Sequence, residues 1–344
     1  MHLLPLAVSP LPIVKMNHAF PHRSTPLSPP STPELDNISK LVTQYIRGSA
    51  GVHQIERIPG HLRRIYKIRM TDRSILILKL APSTNVRQLR REHDALAIEA
   101  TALQLLAARS QVPIPQLIQH DPHDRTTISA HSLQTYRPGV NMSYLSTQLS
   151  SSQRDNIYRT LGTYFRQVSS LAAPKFGSPN AVFAGSGFDT WRECFSHMLE
   201  SVLRDGEDVL VNLPYDVIRY HMHKQSLFLD EVTEARVVLL EITNEKNVLI
   251  DEQTKQVNGL VDLSEVVLGD PFMATAFIRP NLAFLEGYGS GPSQATSETV
   301  RQLLYHVYRG VVAVVKHYYR PQSDGRELQA RRNLTEAIKR LSEF

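Results

Sequence analysis

The chain has 344 residues, of which 42% are hydrophobic and 21% charged, enough to bury a sizeable core and to divide into two domains or lobes. A formal charge of +5 is spread over Lys and Arg mixed with nearly as many Asp and Glu, and no dense basic run is interleaved with aromatics, which argues against a nucleic-acid partner. The single Cys194 excludes an intramolecular disulfide and a thiolate metal cluster, so a reducing compartment, the cytosol, is the expectation.

Residues 1–33 carry eight prolines among Ser, Thr and His; the run HLLPLAVSPLPIV is too broken by proline to be the apolar core of a signal peptide. Met1–Pro33 reads as a disordered tail. No later segment has the roughly eighteen consecutive apolar residues needed to span a bilayer, so no membrane partner is expected.

From Glu34 the pattern is a helix with Leu35, Ile38, Leu41, Val42, Tyr45 and Ile46 on one face. Three Ile/Val/Leu-rich runs follow, Val52–Ile58, Ile65–Met70 and Ile75–Leu80, separated by Gly60 and Thr71-Asp72-Arg73; they read as antiparallel strands. Gln88–Ser110 reads as one long helix ended by Pro113 and Pro115, and Leu133–Tyr136 as a strand before Arg137-Pro138-Gly139. Helical segments follow around Ser152–Leu171, Phe188–Asp205, Pro214–Glu234 and Thr296–His317. Between the last two lies an apolar strand opened by Asn247, a turn at Gln256-Val-Asn-Gly259, and a second apolar strand ending in Asp262.

This order of strands, one inserted helix, then helices carrying a hairpin resembles the aminoglycoside phosphotransferase and choline kinase-like family, over roughly Ile38 to His317. The most specific matches are Phe188–Arg219, Leu229–Asp251 and GLVDLSEVVLGDPFM (Gly259–Met273). The resemblance implies an α+β, bilobal protein-kinase-like fold: a small lobe of antiparallel sheet plus helix (34–137) that binds nucleotide, and a larger, mainly helical lobe (138–344) with a β-hairpin for the metal and a site for the acceptor. It further implies ATP and Mg²⁺ as cofactors and a small-molecule hydroxyl as acceptor. Lys79 matches the lysine that holds nucleotide phosphates, Glu99 the helix glutamate that orients it, with Glu92 as the other candidate. Asn247 and Asp262 match the two magnesium ligands, and Asp270 in Gly269-Asp270-Pro271 a turn residue.

The sequence departs from the family at the catalytic loop. The HxDxxxxN pattern falls on Leu240, Ile242 and Asn247, so the histidine and the catalytic aspartate have become aliphatic. Glu241, beside the lost aspartate, is the candidate replacement base, and in an extended segment it would face away from Ile242. The phosphate loop has one glycine, Gly60, followed by Arg63 and Arg64, which either touch phosphate or lie on the surface. A missing base costs about 10²–10⁴ in rate, so binding is expected more firmly than turnover. Three functions stay open: a degenerate ATP- and Mg²⁺-dependent small-molecule phosphotransferase, a pseudokinase that binds nucleotide or another ligand, and a repurposed enzyme of a specialised-metabolite pathway. His221-Met-His223 cannot share a helix face, His120 and His123 bracket a proline turn and read as solvated, and Cys194 reads as a small core residue. Glu193, Glu200, Asp205, Glu207 and Asp208 suit either a cationic acceptor or a solvated helix face.

Overall fold

The computed structural model describes residues 32–46, 50–59, 62–123, 129–321 and 325–344. The tail, all but Thr32 and Pro33, and Gly60 with His61 of the expected phosphate loop lie outside the described residues.

Helix α1 (Thr32–Tyr45) is followed by β1 (Val52–Ile58), β2 (Arg64–Met70) and β3 (Ile75–Leu80), then α2 (Ala95–Arg109), β4 (Leu117–Asp121) and β5 (His131–Thr135). The five strands form one antiparallel sheet in the order β1-β2-β3-β5-β4. Strand alternation sorts the side chains. Tyr66, Ile68, Leu76, Leu78, Leu80 and Leu133 turn to one face and form a core with Ile38, Leu41 and Val42 of α1. Lys79, out of phase with Leu78 and Leu80, is thereby sent to the opposite face.

The helix expected over Gln88–Ser110 begins only at Ala95; Arg90–Glu92 form a single 3₁₀ turn. The reason is ionic. The Arg90 backbone amide and guanidinium both donate to Asp205, and Glu92 is paired with Arg320, so this stretch is bound to the larger lobe instead of extending α2. Strand β4 was not expected: its His120 lies within the sheet, Nδ1 against the His131 carbonyl at 2.9 Å, and is not a solvated turn residue.

The larger lobe runs β6 (Val140–Asn141), α3 (Met142–Leu145), α4 (Ser151–Ser169), β7 (Ala172–Ala173), α5 (Pro179–Phe183), α6 (Trp191–Asp208), α7 (Tyr215–Gln225), β8 (Ala235–Leu239), β9 (Val248–Ile250), β10 (Val257–Leu260), β11 (Val266–Gly269), α8 (Leu282–Tyr288), α9 (Thr296–Tyr319) and α10 (Arg326–Leu341). Small sheets β10-β9-β6 and β11-β8-β7 sit against the helices. Ile98, Ala102, Leu103 and Leu106 of α2 join Phe165, Trp191, Phe195 and Val311 in one large core, so the helix that carries Glu99 packs on this lobe while Glu99 reaches the sheet. No described helix is long and apolar enough to cross a membrane.

Several polar residues serve the packing. Asp270 is buried, caps the 3₁₀ turn after it through Phe272 N at 2.9 Å, and accepts from Tyr305 Oη at 2.6 Å, while Tyr305 accepts from Trp191 Nε1 at 2.8 Å. Gly269 before it must lack a side chain, because a Cβ there would lie 2.3 Å from the Trp191 ring. Cys194 is buried, and burial pushes its thiol up to about 12, consistent with a packing role. On α7, His221 is buried and His223 exposed, as two positions on different faces should be.

His306 of α9 is pushed down to about 4 by burial, with the charges of Arg340 and Arg309 adding to the shift, and its buried Nε2 has no hydrogen-bond partner among the described residues. Its folded value lies below the ordinary value of about 6.5, so on acidification the unfolded chain takes up this proton first. Stability is therefore expected to be highest above about pH 6.5 and to fall by roughly 2–3 kcal/mol toward pH 4. Urea unfolding of His306→Gln across this window should lose most of that slope.

Candidate functional site

Strand β3 delivers Lys79 to the sheet face that looks at α2. Its Nζ lies 2.5 Å from Glu99 Oε1, and both side chains are buried, 6% and 1% exposed. The same Glu99 oxygen accepts from the backbone amide of Leu263 at 3.2 Å, so one carboxylate joins the sheet lysine to the residue after Asp262. The structure thus brings Lys79 and Glu99 together. Glu92, paired with Arg320, stands elsewhere.

The hairpin is formed by β9 and β10, but its turn lies at 251–256 and not at 256–259. Asp251 explains the shift: its Oδ1 accepts from Gln253 N, Thr254 N and Thr254 Oγ1 at 2.8–3.0 Å, and its carbonyl accepts from Lys255 N at 2.9 Å. Gly259 is left free to pair with Leu249 within the ladder. Beyond β10, Val261 N donates to the Asn247 carbonyl at 2.9 Å, which ties the start of one strand to the end of the other. Asp262 then adopts a left-handed backbone, φ 58°, a conformation that costs a non-glycine residue about 1–3 kcal/mol and is concentrated at functional sites.

Asn247 and Asp262 line one small cavity together with Glu241, Ile242 and Glu265. Asp262 Oδ1 accepts from Ser264 Oγ at 2.7 Å and is ion-paired with Arg63, which also donates to Ser264 Oγ at 3.1 Å. Burial opposes ionisation of Asp262, but Arg63, Lys79 and the Ser264 hydroxyl outweigh it and hold the carboxyl well below the usual carboxylate range. Arg63, one of two arginines whose place the sequence left open, is thus a mostly buried partner of Asp262. Its neighbour Arg64 binds Glu34 at 2.8 Å and Ser129 Oγ at 2.7 Å.

Ile242 is 3% exposed and Leu240 is 4% exposed, both within the core of the larger lobe. The segment after β8 is a turn, not an extended run, and Ile242 N donates to the Leu239 carbonyl at 3.3 Å. Glu241 lines the cavity, but its Oε1 is held by Arg309 at 3.1 Å, and Arg309 also donates to the carbonyl of Met273 at 2.7 Å. Glu265 is paired with Arg91. Each of the three carboxylates lining the cavity therefore carries an arginine, a feature that no local sequence pattern could reveal because all three arginines come from distant segments.

By ligand type, the Asp262 carboxylate and the Asn247 amide would suit a hard divalent cation. The Asn247 side chain makes no hydrogen bond to another described residue, whereas Asp262 is already engaged by Arg63. The acidic residues of α6 are mostly spent on ion pairs: Asp205 and Asp208 with Arg90, Glu200 and Glu207 with Arg219.

The chain is similar in fold to solved kinases and phosphotransferases at low sequence identity. A thermostable mutant of the aminoglycoside phosphotransferase APH(4)-Ia, in ternary complex with AMP-PNP and hygromycin B, aligns at a TM-score of 0.61 and 14% identity over 88% of this chain and 98% of that one. A putative fructosamine-3-kinase from Thermobifida fusca YX-ER1 gives 0.62 and 14% over 89% and 99%. The GDP complex of aminoglycoside 2'-phosphotransferase-IIIa gives 0.58 and 14% over 89% and 99%. No curated protein matches the sequence. The family model for the phosphotransferase enzyme family, APH, matches residues 54–276, well over half of the sequence, and the chain belongs to that family.

Proposed function

We propose that this protein binds a nucleoside triphosphate, ATP in the first instance, in the cleft between sheet and hairpin and transfers its γ-phosphate slowly to a small-molecule hydroxyl. The observation that carries this reading is the buried Lys79–Glu99 pair, linked through Leu263 N to Asp262. Fold relatives solved with AMP-PNP and GDP support the nucleotide part.

Lys79 would hold nucleotide phosphate as a point charge, with Glu99 fixing its reach. Asn247 and Asp262 are the residues that would hold a divalent cation, which when bound neutralises charge on the phosphates. Position 242 offers no proton acceptor. Glu241, engaged by Arg309, is a poor base, so Glu241→Gln is expected to slow transfer by less than about tenfold, against the ~10²–10⁴ that a positioned base contributes.

A second reading, a pseudokinase that binds nucleotide without turnover, is favoured by the arginine on every carboxylate of the cavity. Nucleotide titration with and without Mg²⁺, followed by a phosphate-transfer assay on the same sample and on Asp262→Asn, separates the two. Transfer that falls with Asp262→Asn supports the enzyme, binding with no transfer supports the pseudokinase, and no binding removes both.

A further inference from the structure

The family's metal carboxylate is occupied in this chain by a cation that the chain itself supplies. Arg63 is 10% exposed, reaches Asp262 from the connection between β1 and β2, and shares Ser264 Oγ with it in a closed three-membered set of contacts. Its Nε is buried and has no hydrogen-bond partner among the described residues, which leaves the guanidinium a further donor after pairing with Asp262. Glu241 and Glu265, the other carboxylates of the cavity, are held by Arg309 and Arg91. A bare Asp262 would repel a polyphosphate; neutralised by Arg63, and with Lys79 close enough to act on its charge, it does not.

We propose that Arg63 takes the place of the divalent cation in nucleotide binding, so that the cleft accepts metal-free nucleoside triphosphate and a divalent ion reaches Asp262 only by displacing Arg63. This rests on the nucleotide reading above and adds to it that binding and metal are uncoupled. Arg63 acts as a positioning and charge-compensating residue; no bond is made or broken.

The test uses the full chain and two probes. In the first, ATP is titrated by calorimetry in chelator and in excess Mg²⁺. The unsubstituted protein should bind equally in both to within about threefold. Arg63→Met should lose on the order of ten- to a hundredfold in chelator and regain affinity with Mg²⁺, while Arg63→Lys, which keeps a cation, should stay closer to the original. An unsubstituted protein that binds ATP more than about tenfold tighter with Mg²⁺ overturns the proposal.

In the second, Mn²⁺ alone is followed by electron paramagnetic resonance, with no nucleotide present. The unsubstituted protein should show no site at Asp262. Arg63→Met should gain one that is lost again in Arg63→Met/Asp262→Asn, a pair that removes both charges and guards against a single variant that fails to fold. Mn²⁺ bound by the unsubstituted protein and released by Asp262→Asn overturns the proposal. If ATP binds under neither condition, the nucleotide reading fails and the metal-free uptake falls with it, while the Mn²⁺ arm still decides whether Arg63 holds the carboxylate against metal.

Discussion

Lys79→Met is expected to lose nucleotide binding and about 3–5 kcal/mol of folding stability together, because removing one member of a buried ion pair strands the other charge. Glu99 is almost fully buried and its Oε2 has no partner among the described residues, so once Lys79 is gone only the Leu263 amide on Oε1 is left to stabilise its charge. The two losses have different cures. Lys79→Met/Glu99→Gln replaces both charges and should recover most of the stability, since a neutral amide tolerates burial far better than a carboxylate. It should not recover binding, because no cation is left on the sheet face. Urea unfolding and ATP titration on the same three proteins check this. A Lys79→Met protein that keeps its nucleotide affinity would remove the basis for reading this cleft as a phosphate site.

Ile242→Asp is expected to raise ATP turnover by roughly a hundredfold, the lower end of what a positioned base contributes. Ile242 already lines the cavity shared by Asn247 and Asp262, so a carboxylate at this position is introduced where transfer would occur. The same substitution takes a side chain only 3% exposed and makes it ionisable, at a cost of about 2–3 kcal/mol. That burial also raises the pKa of the new aspartate, which brings it nearer to the operating range of a base. Single-turnover phosphate release with Mg²⁺ and ATP, beside a urea melt, reads both effects. If the variant folds and binds ATP yet releases phosphate no faster than the parent, the aliphatic residue at 242 is not what limits transfer.

The sheet was legible because its strands are runs of branched residues bounded by turns: β1 and β3 fall on Val52–Ile58 and Ile75–Leu80 as read from the sequence. The Lys79–Glu99 pair followed from resemblance and not from spacing, since the two residues lie on separate elements. Three features were hidden for physical reasons. The hairpin turn moved to 251–256 because Asp251 collects three hydrogen bonds there, outcompeting the glycine further on. The start of α2 slipped to Ala95 because Asp205 and Arg320, more than a hundred residues away, hold the segment before it. Arg63 looked like half of an ordinary surface pair, and only the approach of the hairpin shows that its counter-ion is Asp262.

Helix α1 sets a boundary that family matching alone would place elsewhere. The match begins at residue 54, yet Ile38, Leu41 and Val42 cover Tyr66, Ile68 and Leu78 on the outer side of the sheet. A protein trimmed to the matched segment would bare that greasy plane to water and invite self-association. Versions shortened for crystallisation or assay should therefore retain everything from Thr32 onward, and comparisons of minimal catalytic cores across relatives need to count this helix as part of the folding unit.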